Sequence, residues 1–320
     1  MVGKVPRDLL DDLVLGRTGA ADDRVVMGPR YGEDTGAIQL ADGILVVSTD
    51  PISLAVDRIG TLGVAVAGND VAASGATPSW LTVAIFLHER DPAILDTITA
   101  QLHEAAASMD IAIVSGHSEY APSMDRPMLV LTAFGLTDRY VPTGGAEVGD
   151  AIVMTKTAAT EGTAILASDF GDGLGLDATL IERGRAYYDR LGVMAEAAHI
   201  TPFATAMHDP TEGGLINGLF ELATASEVTI EVDLNAIPVT ATTSALCAAA
   251  GVDPLRIFSS GVLLASVPEA SLASAIESLD DAGIDNAVIG QVTGEGTGRL
   301  TLDGAVVDAP IRDEMYALWE

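Results

Sequence analysis

Apolar and polar positions recur with two different periods along this chain, and the periods mark its elements. Residues 36–50 read as two strands, GAIQL and ILVVSTD, around an Asp42-Gly43 turn, a strong hairpin signal. Residues 58–75 are rich in Ala and Val with few polar positions, which predicts a helix ending at Gly75. Residues 92–109 form an amphipathic helix pattern opened by Asp91-Pro92, a cap followed by a first-turn proline. A short helix is predicted over 4–15, with Leu9, Leu10, Leu13 and Val14 on one side. Strands are predicted at Trp80–Leu87, Ile111–Val114 and Met128–Leu136, with a polar loop over 115–127.

The turn-rich stretch TDRYVPTGGAEVGD (137–150) reads as a connection between domains. Beyond it, strands are predicted at Ala151–Thr155, 228–234, 261–267, 287–292 and 298–301. Helices are predicted at 160–168, 176–198, 213–226 and 269–282. Hairpins outnumber strict β-α-β alternation, so the expectation is an α+β chain of two domains, 1–148 and 149–320.

Composition narrows the function classes. Asp plus Glu number 46 against 16 Lys plus Arg, a formal charge of -30, and the only lysines are Lys4 and Lys156. No basic stripe exists to release counterions from a phosphate backbone, so neither nucleic acid nor an anionic membrane is expected as a partner. No uncharged apolar run is long enough to span a bilayer. The start of the chain, with Lys4 and Arg7 among Asp8, Asp11 and Asp12, lacks the apolar block of a secretory signal. The one cysteine, Cys247, excludes an internal disulfide and a cysteine-built metal site. A cytoplasmic setting is expected. The scattered acids and scarce lysine also suggest a halophilic protein, whose self-repulsion a salty cytoplasm would screen; an acidic mesophile is the plainer alternative.

Four acid-bearing segments are candidate chemistry. They are GEDTG with Asp34, STDP with Asp50, GNDVAASGA with Asn69 and Asp70, and HDPTEGGL with Asp209, Thr211, Gly213 and Gly214. The bland readings are an acidic turn, a proline-fixed turn, an exposed helical turn and a helix cap. Asp70 tells most, because an acid among Ala, Val and Gly is costly unless paired or bound to metal. Together the acids suit Mg2+, which takes carboxylate and phosphate oxygens. The Gly213-Gly214 helix start suits phosphate. No GxxxxGK[ST] sequence is present, so this is not a P-loop protein.

The order of GEDTGAI, STDP, GNDVAASGATP, SGHSEY, HDPTEGGL and FSSGVLLASV resembles the AIR-synthase-like (PurM-like) superfamily, HypE-type hydrogenase expression/formation proteins included. The resemblance runs nearly end to end. It implies an N-terminal PurM-like domain contributing strands to a dimeric barrel, and a C-terminal PurM-like α+β domain. It implies a homodimer with ATP at the domain and subunit junction and Mg2+ on Asp34, Asp50, Asp70 and Asp209. Asn69, Gly116 and His117 would lie near nucleotide or substrate, His117 as an acid/base, and Lys156 would neutralise phosphate charge.

The implied chemistry is ATP-driven activation of an oxygen nucleophile on a small or protein-borne substrate, carboxamides included, in hydrogenase-type maturation with a maturation-protein partner. The alternative is a dimeric nucleotide-binding accessory protein without catalysis. HypE proteins carry their carboxamide on a C-terminal cysteine. The last residues here, Met315 to Glu320, contain none, and Cys247 in its alanine-rich segment reads as a buried inert thiol.

If self-repulsion limits stability, raising KCl from about 0.1 M to about 2 M should lift the thermal midpoint by roughly 5 °C or more. A flat midpoint in calorimetry across that range would remove the halophilic reading.

Overall fold

The computed structural model describes residues 3–296 and 298–320. A short helix, α1 (Arg7–Leu10), passes directly into a π-helical turn at Asp11–Leu15. Six strands then build one sheet: β1 (Val25–Met27), β2 (Gly36–Leu40), β3 (Gly43–Ile52), β4 (Thr77–Leu87), β5 (Ala112–Tyr120) and β6 (Met128–Thr137). Their order is β1-β2-β3-β6-β4-β5, antiparallel except for the β4–β5 pair. Alternate residues of β6, Leu129, Leu131 and Ala133, are fully buried under α2 (Ile59–Ala73), and α3 (Pro92–Ser108) packs against α2 and β5.

The α2 sequence has poor intrinsic helix propensity, with glycines at 60, 63 and 68. Packing overrides propensity here. Every residue of α2 except Thr61 is buried, between the first sheet, α3 and the second half of the chain. Gly60 lets α3 approach closely: a Cβ there would stand 2.7 Å from the carbonyl oxygen of Ile98. In α3, the Asp91 carboxylate accepts the Ala93 N–H at 2.8 Å, as the Asp-Pro start predicted.

The second half builds a seven-stranded sheet from β7 (Ala151–Thr155), β8 (Ala206–His208), β9 (Val228–Val232), β10 (Leu264–Val267), β11 (Asn286–Glu295), β12 (Arg299–Leu302) and β13 (Ala305–Val307). The order is β13-β12-β9-β11-β7-β10-β8, and β12–β9 is its parallel pair. The inner strand β7 is buried at every position. The helices are α4 (Thr160–Asp169), α5 (Ala178–Arg185), α6 (Met194–Ile200), α7 (Gly214–Ala225), α8 (Ala241–Ala250), α9 (Glu269–Asp281) and α10 (Tyr316–Trp319). One apolar cluster runs from Val46, Leu81 and Leu131 through α2 into Ile165 and Leu166 of α4 and Leu246 of α8, so the two halves share a core.

Three expectations need correction. Residues 115–120 are not loop: they continue β5, paired in parallel with β4 as far as Leu87 opposite Tyr120. This strand is exposed along its whole length, so no core face imposed the alternation that would have shown it. The single helix expected over 176–198 is broken between α5 and α6, where Leu191 and Val193 turn their backbone groups to Asn69. The strands β1, β8 and β13, three residues each at the sheet edges, and the helix α8 were not signalled.

Gly60→Ala should destabilise the fold by about 1–3 kcal/mol despite alanine's better helix propensity, because the methyl group collides with α3 backbone. Urea unfolding measures this; an unchanged or raised midpoint would show that α3 yields freely.

Candidate active site

The loop before β2 is pinned on both sides of Asp34. The Glu33 carboxylate accepts the Thr143 N–H at 3.0 Å and the Gly144 N–H at 2.9 Å. The Thr35 hydroxyl lies 2.7 Å from Ser74 Oγ and 3.2 Å from the Tyr140 hydroxyl. Asp34 is left to face inward between these anchors. Asp50 lies within β3, opposite Leu131. Ser48 and Asp50 share a strand face. The Ser48 hydroxyl stands 3.1 Å from Asp50 Oδ2 and 2.5 Å from Asp70 Oδ2, tying β3 to α2. Asp209 follows β8 directly. Carboxylate oxygens of Asp34, Asp70 and Asp209 lie within 4.8 Å of one another.

Asp70 and Asp209 are 5% and 1% exposed, and neither oxygen of Asp209 has a hydrogen-bond partner. Burial pushes the pKa of Asp70 well above its ordinary value, and Asp50 and Asp209 push it further. Burial raises Asp209 likewise, with Asp34 adding to it. Buried acids this close repel each other unless they share protons or a cation. A donor set made only of carboxylate oxygens suits a hard ion such as Mg2+ rather than zinc.

Compensation comes from a chain of alternating charges. His208 Nδ1 is 2.8 Å from Asp34 Oδ2, and its Nε2 is 3.1 Å from Glu221 Oε2. Glu221 Oε1 is 3.5 Å from Lys4 Nζ. Burial alone would lower the His208 pKa, but the two carboxylates outweigh it and raise it well above normal. Burial would raise Glu221, yet Lys4 and His208 hold it down to about 2. The imidazolium thereby fixes Asp34 in place and meets part of the cluster's charge.

Other expected site residues lie elsewhere or have other duties. Asn69 is fully buried and works as an interdomain tie: its amide donates to the Leu191 carbonyl and Ser260 Oγ, and its oxygen accepts the Val193 N–H. Lys156 is held by Glu196 at 2.9 Å and by the Arg190 and Gly192 carbonyls, so its charge is already met. The Gly213 N–H donates to Asp313 at 2.8 Å and the Gly214 N–H to the Thr211 carbonyl. The acceptor at the start of α7 is therefore the protein's own Asp313 carboxyl group. Gly116 and His117 sit on the exposed β5 edge, where His117 pairs with Glu119 at 3.1 Å. Cys247 is buried and its thiol is pushed up to about 12 by burial.

The acids open into a cavity. Asp34, Asp50, Asp70, Thr211 and Glu212 line it together with Lys4, Leu54, Ile165, Phe258 and Trp319. Glu161, in the first turn of α4, also lines it and was not singled out from the sequence. Glu221 carries the signal that exposed Asp70, a charged residue inside an apolar run, whereas Glu161 and His208 have polar neighbours and do not.

Residues 32–137 match the N-terminal domain, and residues 147–303 the C-terminal domain, of AIR synthase related protein. The hydrogenase expression/formation protein HupE of Azotobacter chroococcum is 30% identical over 276 residues, covering 82% of this chain and 80% of that protein. Carbamoyl dehydratase HypE of Cupriavidus necator is 31% identical over 249 residues, covering 74% of this chain and 69% of that one. The crystal structure of hydrogenase maturation protein HypE in complex with ATP is similar with a TM-score of 0.68 at 25% identity, over 96% of this chain and 94% of that chain.

Metal-free protein should lose stability as pH rises above the ordinary carboxylate range, because the folded state holds protons on Asp70 and Asp209 that the unfolded state releases. Asp209→Asn should relieve this, raising metal-free stability by about 1–3 kcal/mol. If the cluster holds Mg2+, the same variant should also lack the rise in thermal midpoint expected when Mg2+ is added to the wild type. A variant that still gains midpoint with Mg2+ would remove Asp209 from the ligand set.

Proposed function

We propose a function from one premise, that the chain belongs to the AIR synthase related family and lies close to its HypE-type members: it is an ATP-dependent enzyme of the hydrogenase-maturation type that requires Mg2+. The carrying observation is the carboxylate cluster at the cavity wall, with both oxygens of Asp209 unpartnered. Bound Mg2+ would offset triphosphate charge and make the transferred phosphorus more electrophilic. Asp34, Asp70 and Asp209 would hold it, with Asp50 beside them. His208 keeps Asp34 turned inward, and Ser48 keeps Asp50 and Asp70 in register. Among the described residues Lys4 is the one Lys or Arg side chain lining the cavity, half exposed and so able to move toward phosphate. The apolar wall excludes water from the reacting group.

The reaction we assign is ATP-driven activation of an oxygen nucleophile, a carboxamide oxygen being the kind of group that relatives named carbamoyl dehydratase act on. The chain would work with a second maturation protein. It would also work as a homodimer through the β5 edge, where Ile113, Val114 and Tyr120 stand exposed on a strand open to pairing. Gly116 and His117 lie on that edge and would reach a nucleotide only across such a junction. Among the described residues no helix is long and apolar enough to cross a membrane.

Purified protein incubated with ATP and Mg2+ in high salt should form ADP or AMP, resolved by chromatography. Asp70→Asn should cut the rate by about 100-fold or more while the fold persists. ATP binding with no turnover under any acceptor would favour the accessory-protein reading, and absence of ATP binding would end the proposal.

A further inference from the structure

The acid-lined cavity encloses about 120 Å3 as it stands, whereas ligand pockets begin at roughly 300 Å3. Part of its wall must therefore yield before a sizeable molecule can enter. Much of that wall is set in β3, α2 and α4. Residues 53–55 are not: they belong to the connection from β3 to α2, and all three line the cavity. Among the described residues no backbone group of 53–57 pairs with another backbone group. Three side chains hold the connection instead, each from a different segment. Gln101 of α3 donates to the Asp57 carbonyl at 2.9 Å. Arg126, between β5 and β6, donates to the Leu54 carbonyl at 3.4 Å. Asp169, the last residue of α4, accepts the Val56 N–H through Oδ2 at 3.2 Å.

The Asp169 bond is the one that reaches across from the second half of the chain. It extends a stripe along α4, because Ile165 and Glu161, four and eight residues earlier, line the cavity itself. The grip is partial: Oδ1 of Asp169 is buried without a partner. On its other side the connection faces an open groove of about 280 Å3, where Val56 and Asp57 meet His88, Ile94, Ile98 and Pro127. Val56 is 46% exposed, an apolar side chain beside an apolar hollow that it does not fill.

We propose that residues 53–57 are a gate on the cavity, latched shut by Asp169 and opened when Val56 moves into the groove against Ile94 and Ile98. Opening breaks one long hydrogen bond and buries an apolar side chain, so the two positions lie close in free energy and exchange. Leu54 and Ala55 move with Val56, which removes the wall that limits the size of the cavity. The gate works alike whichever molecule the cavity receives, so it does not depend on the nucleotide chemistry proposed above.

A thiol placed behind the gate reads its opening. Ile165→Cys puts one on the cavity wall, at a position 2% exposed. Cys247 is buried and its thiol is pushed up to about 12, so it reacts only on unfolding and serves as the internal control. Iodoacetamide labelling followed by mass spectrometry should modify the introduced thiol and spare Cys247. Adding Asp169→Ala should speed that labelling about fivefold or more, the scale of one lost hydrogen bond. Adding Asp169→Asn, whose amide oxygen still accepts the Val56 N–H, should leave the rate within about twofold. Adding Val56→Ser, which gains less from the groove, should slow it about threefold. Labelling indifferent to Asp169→Ala would place the opening elsewhere and overturn the proposal. So would Asp169→Asn labelling as fast as Asp169→Ala, an unslowed Val56→Ser, or Cys247 accelerating in step with the introduced thiol. If Asp169→Ala does not fold, hydrogen exchange of the unaltered protein decides. The Val56 and Asp57 amides should exchange at least about tenfold faster than those of β3 and α2, and equal protection would end the gate.

Discussion

Four carboxylates crowd together beside one cavity, Asp34, Asp50 and Asp70 lining it and Asp209 within reach of Asp34 and Asp70, in a chain that already carries a formal charge of -30, and the surrounding elements are arranged around that repulsion. Asp34 comes from the loop before β2, Asp50 from β3, Asp70 from the most buried helix and Asp209 from the end of β8. Each arrives from a different segment, so the site exists only when both halves are packed together. The unfavourable electrostatics are met in two ways. Protons held by Asp70 and Asp209 reduce the charge, and the ladder Asp34–His208–Glu221–Lys4 supplies compensation from the flank. Neither device fills the centre, where Asp209 is left without partners. That residual cost is what a divalent cation would relieve.

Helix α2 is the mechanical support for this arrangement. Its glycines let α3 and β6 approach, its apolar side chains join the shared core, and its adjacent polar residues Asn69 and Asp70 point in different directions. Asp70 faces the cavity. Asn69 faces the second half of the chain and satisfies three backbone and hydroxyl groups there. Adjacent residues on a helix lie about 100° apart, so one dipeptide can serve both the site and the domain junction. The loop at Asp34 follows the same logic, with Glu33 and Thr35 binding the scaffold so that the residue between them is held for the ligand.

Local pattern carried much of the fold. The 36–50 hairpin, the helices near 58–75 and 92–109, and the strand pattern of the second half follow from periodicity and turn chemistry that act within a few residues. The strands that pattern missed have a common cause. β5 beyond Val114 is exposed on both sides, and β8 and β13 are three residues long, so none has a buried face of enough length to impose a period. The break between α5 and α6 answers a hydrogen-bond demand from Asn69, more than 100 residues away in sequence.

The sequence by itself determined the α+β character, the acidic surface and the identity of the four acids, because a carboxylate set in an apolar or glycine-flanked run is unusual whatever lies around it. Tertiary structure alone decided how those acids are used and what accompanies them. It paired Lys156 with Glu196 and turned Asp313 onto the Gly213 N–H, giving protein partners to two groups expected near phosphate. It brought His208, Glu221 and Lys4 into line behind Asp34, and placed Glu161 and Trp319 across the cavity. The physical reason is reach. Propensity and period are set by neighbours in the chain, whereas charge pairing, desolvation and cavity lining depend on groups that only the folded packing makes adjacent.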